Sequence, residues 1–64
     1  MTARATAART AQVRRLQAMA ELVVATLGAV LLARADEQAA LLRQCATNAD
    51  GIAEELAQMS GGAS

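Results

Sequence analysis

The sequence predicts an all-α fold: a helical hairpin of two antiparallel helices that associates into a four-helix bundle. Three observations carry that expectation. The chain has no proline and no aromatic residue and is rich in Ala, Leu, Gln, Glu and Arg, all strong helix formers. Its β-branched residues gather only at Val23, Val24, Thr26 and Val30, without the alternation a strand needs. Its charge is polarised. Residues 1–34 carry five arginines against Glu21 alone, a net of +4, and residues 35–64 carry Arg43 against five acids, a net of −4. Halves of opposite sign attract when laid antiparallel, and a fold near residue 35 brings Arg14 and Arg15 beside Glu54 and Glu55.

Residues 1–6 read as a frayed start. The first helix, about 7–34, carries an apolar stripe at Val13, Leu16, Ala20, Val23, Leu27 and Val30, stepping by three and four residues. Leu22, Val24, Leu31 and Leu32 lie off that stripe, and no charge falls between Leu22 and Ala33. Such a helix is buried on several sides or meets lipid. The turn is expected at about 34–36. Asp36 and Glu37 suit a helix start, where a capping oxygen and negative charge are both favoured.

The second helix, about 36–59, shows heptads typical of a coiled coil. Ala35, Leu42, Ala49 and Leu56 stand at a, with Gln38, Cys45, Ile52 and Met59 at d. Ala39, Ala46 and Ala53 run alongside, and the charged residues fall on the outer positions. Ser60 to Ser64 reads as a helix stop and flexible tail. Gly28 and Gly51 read as close-packing points inside helices. No Gly or Pro marks the junction, so one helix from about 7 to 59 is the alternative; the charge polarity favours the hairpin. The expected core and dimer seam is Leu16, Val23, Leu27, Val30, Leu42, Cys45, Ala49, Ile52, Leu56 and Met59.

A chain of 64 residues buries only about 60% of its unfolded surface, and a lone core of this size supplies no more than about 3–5 kcal/mol. One cysteine and no histidine leave neither an intrachain disulfide nor a structural zinc site to compensate. Association remains, and a homodimer is expected.

The same inventory argues against an enzyme. Cys45 lacks a histidine to activate it and reads as a buried structural thiol. Glu54 and Glu55 are solvated helix neighbours, and no Gly-rich loop follows a strand to cradle phosphate. No cofactor or metal is expected. The expectation is a small cytoplasmic regulatory or adaptor protein acting through helix-mediated binding. Arg4, Arg9, Arg14 and Arg15 are candidate contacts to structured RNA, without an aromatic to stack on bases. Val24, Leu31 and Leu32 are candidates for a protein-binding patch.

A third class is a single-span membrane or exported protein. The Arg-bearing start, the apolar run and Ala33-Arg34-Ala35 mimic a secretory leader, although Glu21 interrupts the approach. Leu16 to Ala33 is short for a span and contains Gln17 and Glu21.

The stretch Ala35-Asp36-Glu37-Gln38-Ala39, with Ala49-Asp50 downstream and Gly61 ending the helix, resembles the turn and second helix of the Rop (repressor of primer) family of plasmid copy-number regulators. The in-register likeness covers roughly residues 35–61, under half the chain. It implies an antiparallel homodimer of hairpins with stacked core layers, binding a pair of kissing RNA hairpins through the first-helix faces. At the positions matching that family's RNA-contacting residues stand Arg14, Ala18, Leu22 and Ala29. The family's aromatic contact is replaced by Ala18, and only Arg14 can take over such a role directly.

Overall fold

The computed structural model describes residues 2–61 and consists of two helices, α1 (Ala3–Leu32) and α2 (Ala35–Gly61), folded back on each other. The hairpin is the predicted one, and the single continuous helix is not formed. α1 starts earlier than expected because Thr2 caps it: its Oγ1 accepts a hydrogen bond from the Ala5 amide at 3.1 Å. That bond satisfies one of the amides a helix start leaves without a partner. At the other end Ser60 and Gly61 belong to α2, two residues beyond the expected stop. Residues 62–64 of the expected tail, and Met1, lie outside the described residues.

The turn needs no glycine. Ala33 takes an extended conformation (φ −85°, ψ 157°), and among the described residues none has positive φ. A helix end leaves carbonyls unpaired, and here a side chain of the next helix answers them. Gln38 Nε2 donates to the carbonyls of Val30 at 3.0 Å and Ala33 at 3.3 Å. The Arg34 carbonyl in turn accepts from the amides of Glu37 and Gln38 and opens α2. One glutamine therefore ties the last turn of α1 to the first turn of α2, whereas the sequence signals at Asp36 and Glu37 spoke only for the start of the second helix.

The helices meet along a regular seam. On α1 it runs through Gln12, Leu16, Met19, Val23, Thr26 and Val30, with Ala33 just past the helix end, and on α2 through Gln38, Leu41, Cys45, Asn48, Ile52, Glu55 and Met59. Both sets alternate steps of three and four residues, the spacing that keeps a stripe facing a neighbouring helix. The seam differs from the expected one in register. Gln38, Cys45, Ile52 and Met59 face α1 as heptads predict, but Leu41, Asn48 and Glu55 complete the stripe in place of Ala35, Leu42, Ala49 and Leu56. A helix with an apolar stripe three positions wide can turn either edge toward its neighbour, and here the a-position edge is turned away.

Polar groups in the seam are largely satisfied at short range. Thr26, 8% exposed, donates its hydroxyl to the Leu22 carbonyl at 2.8 Å. The Cys45 thiol is buried and lies 3.9 Å from the Val23 carbonyl oxygen. Arg15 pairs with Glu55 across the helices, one of the cross-hairpin pairs expected from the charge polarity. The other Glu55 oxygen is buried and has no donor. With Arg15 largely exposed, such a pair contributes about 0–1 kcal/mol.

Candidate interaction surface

The hairpin is a single layer of helices, with Cα extents of 50 × 19 × 10 Å. Stable domains bury their apolar surface between two or more layers, and one layer leaves both of its faces open. Among the described residues the buried apolar side chains are Leu16 and Cys45, while Val13, Leu22, Val24, Leu27, Leu31, Leu32, Leu42 and Leu56 are all exposed.

The exposed residues are not scattered. On α1, Val13, Ala20 and Leu27 each follow a seam residue by one position; on α2, Leu42, Ala49 and Leu56 do the same. Two antiparallel helices are related by a local two-fold perpendicular to the plane of the hairpin, and that rotation does not exchange its faces. Equal offsets from the seam therefore lie on the same face. The next row out is Gln17, Val24 and Leu31 on α1 and Ala39, Ala46 and Ala53 on α2. None of these twelve side chains is charged.

Positions on the other side of the seam differ in kind. Arg15, Ala18, Leu22, Ala25 and Ala29 of α1 share that face with Glu37, Gln44, Thr47, Gly51, Glu54 and Gln58 of α2. The outer edges carry Arg14, Glu21, Asp36, Arg43 and Asp50. Within the helices, apart from Arg9 and Glu55 on the line of the seam, charge keeps to one face and the edges, as amphipathic layering requires when one face is to be covered.

This geometry divides the residues expected in the core and dimer seam. Leu16, Val23, Val30, Cys45, Ile52 and Met59 come together between α1 and α2 of one chain; Leu27, Leu42, Ala49 and Leu56 stand on the charge-free face. The expected protein-binding patch also divides. Val24 and Leu31 belong to the charge-free face, whereas Leu32, 91% exposed, points away from it at the turn end. Sequence periodicity named residues of both sets, but the choice between stripe edges is made only when the second helix docks.

The four arginines do not converge. Arg4 and Arg15 fall on the charged face, Arg14 on an outer edge and Arg9 on the line of the seam, and Arg15 is engaged by Glu55. Of the positions matched to RNA contacts in the Rop family, Arg14 is on the edge, and Ala18, Leu22 and Ala29 share the charged face. A hollow lined by Ala8, Ala11, Gln12 and Arg15 is open to solvent and brings no acid, base or nucleophile together. Among the described residues no group of three or more His, Cys, Asp or Glu is placed to hold a metal ion. α1 is long and apolar enough to cross a membrane by length and composition, a test that core helices and leader sequences also pass. No protein-family model, curated protein or solved structure matches the chain.

Proposed function

We propose that the protein is a small, non-catalytic regulatory or adaptor protein of the cytoplasm that works through helix-mediated binding as a homodimer, its paired hairpins forming a four-helix bundle. The observation that carries this reading is the charge-free face of a one-layer hairpin. Exposed apolar surface of this extent marks an interaction site, and a second layer converts it into a core. Once the face is covered, Leu22 and Leu32 remain as exposed leucines away from it. A protein partner seated at the turn end is favoured over RNA because the arginines that would bind phosphates are spread over several faces.

The test is purification from a native extract with and without nuclease, read by mass and by fractionation. The expected result is a soluble assembly of at least two 6.6 kDa chains with a bound protein that survives nuclease and is lost on Leu32→Gln. Salt-sensitive retention of RNA, lost when Arg4, Arg9, Arg14 and Arg15 are replaced by Ala, assigns the Rop-like role instead. A chain recovered only with detergent overturns the soluble reading.

A further inference from the structure

We infer that the turn is a hinge: the hairpin opens into one continuous helix, and two opened chains exchange α2, so that the seam forms between chains instead of within one. The inference goes beyond the homodimer of hairpins and does not need it. Its basis is a turn that nothing in the sequence enforces. Helices commonly stop at glycine or ahead of proline, and between Gly28 and Gly51 this chain has neither. The two residues outside the helices are Ala33 and Arg34, both among the best helix formers. Ala33 is extended, at φ −85° and ψ 157°, in a region open to every residue type.

Straightening has a gain at the turn itself. As at any helix start, the amides of Arg34, Ala35 and Asp36 have no acceptor in the hairpin. A helix running through the turn supplies the carbonyls of Val30, Leu31 and Leu32, four residues back. The Gln38 hydrogen bonds to Val30 and Ala33 are given up, and so is the intrachain seam. That seam is shallow, with Leu16 and Cys45 its buried apolar side chains among the described residues.

A second chain restores the seam. Arg15 and Glu55, which pair across the hairpin, stand equally far in sequence on either side of Ala35. Two straight copies laid antiparallel about a two-fold at Ala35 therefore set Arg15 against the partner's Glu55 and repeat the same contacts twice. The stripes also join. Val30 and Gln38 are separated by two steps of four through Arg34, a spacing that paired helices accommodate by unwinding locally. Exchange of identical elements is a low-cost route to association, because the contacts already exist. Short connections between the exchanged elements invite it.

The two forms differ in reach. The hairpin is 50 Å long, whereas a helix from Ala3 to Gly61 extends about 90 Å at the helical rise. Spin labels at Ala11→Cys and Gln58→Cys in a Cys45→Ala background, with labelled chain diluted in excess unlabelled chain, read the distance within one chain. The hairpin gives less than about 30 Å, from neighbouring helices and the label arms, and the straight chain gives about 70 Å. The expected result is the short distance in dilute solution, with the long one gaining share as total chain rises to millimolar. The short distance alone at every concentration overturns the hinge and leaves the homodimer of hairpins standing. Arg34→Pro supplies the control. It suits the hairpin, where the Arg34 amide is unbonded and Ala33 already has the extended form that precedes proline. It should lower the long-distance share at least about a hundredfold, since proline is excluded from a helix interior. A long distance that survives Arg34→Pro overturns the inference. X-ray scattering from the unaltered chain reads the same change without labels: a maximum dimension that does not lengthen with concentration overturns it as well.

Discussion

The two faces of the hairpin are built from the same two helices, yet they obey different rules. The helix face bearing Val13, Leu27, Leu42 and Leu56 has no charge, and these four side chains are about half exposed. The opposite face mixes alanines with Arg15, Glu37 and Glu54 and offers Leu22 as its one large apolar side chain between Ala11 and Ala29. A lone hairpin would treat the two alike, because both meet water. The difference is what supports the proposal that a second layer covers the charge-free face. The seam between α1 and α2 is the weaker part of the design by itself: it contains Gln12, Thr26, Gln38, Asn48 and Glu55 among its fourteen residues.

The sharpest way to break the comparison is to place a charge on each face in turn. Leu42→Glu should cost about 4 kcal/mol or more, since each copy would bury an unpaired carboxylate. Sedimentation should show monomers, and the helical signal in circular dichroism should fall with them. Leu22→Glu on the other face should change stability by no more than about 0.5 kcal/mol. Equal effects at both positions would erase the distinction between the faces.

The seam within the hairpin is tested next by Leu16→Ala. Leu16 is 5% exposed and among the most enclosed apolar residues described, so its truncation should cost about 2–5 kcal/mol. Thermal melting should report this loss while the assembly size at high concentration stays the same. A loss below 1 kcal/mol would mean that the chain does not use this seam.

The smallest effect is expected at the turn. Gln38→Leu keeps the side chain's bulk but removes the donor to the Val30 and Ala33 carbonyls. About 1 kcal/mol of stability should go with it, and amide exchange should accelerate in the last turn of α1. Unchanged exchange there would show that water closes the helix end as well as glutamine does.

The resemblance of residues 35–61 to the Rop family and the geometry of the arginines bear on different questions. The likeness concerns the turn and second helix, where hairpin pattern and turn chemistry are densest. RNA contact would depend on the first helix, where the matched positions hold Ala18, Leu22 and Ala29 on one face and Arg14 on an edge.

Several features were legible in the residues alone. Helix propensity and the absence of proline dictate helix along most of the chain, and opposite charge in the two halves favours folding it back into an antiparallel hairpin, as the Arg15–Glu55 pair reflects. The spacing of apolar residues marks which positions seek cover, and every residue expected in the core lies either in the seam or on the charge-free face. Only the tertiary structure decided which stripe edge each helix turns inward. It placed Leu41, Asn48 and Glu55 against α1 and left Leu42, Ala49 and Leu56 outside, and it gave Gln38 the task of closing α1. The reason is physical: periodicity records that a side chain needs burial, but a wide apolar stripe has two edges. Their assignment depends on the rotation of one packed helix against another, a quantity that neither helix possesses alone.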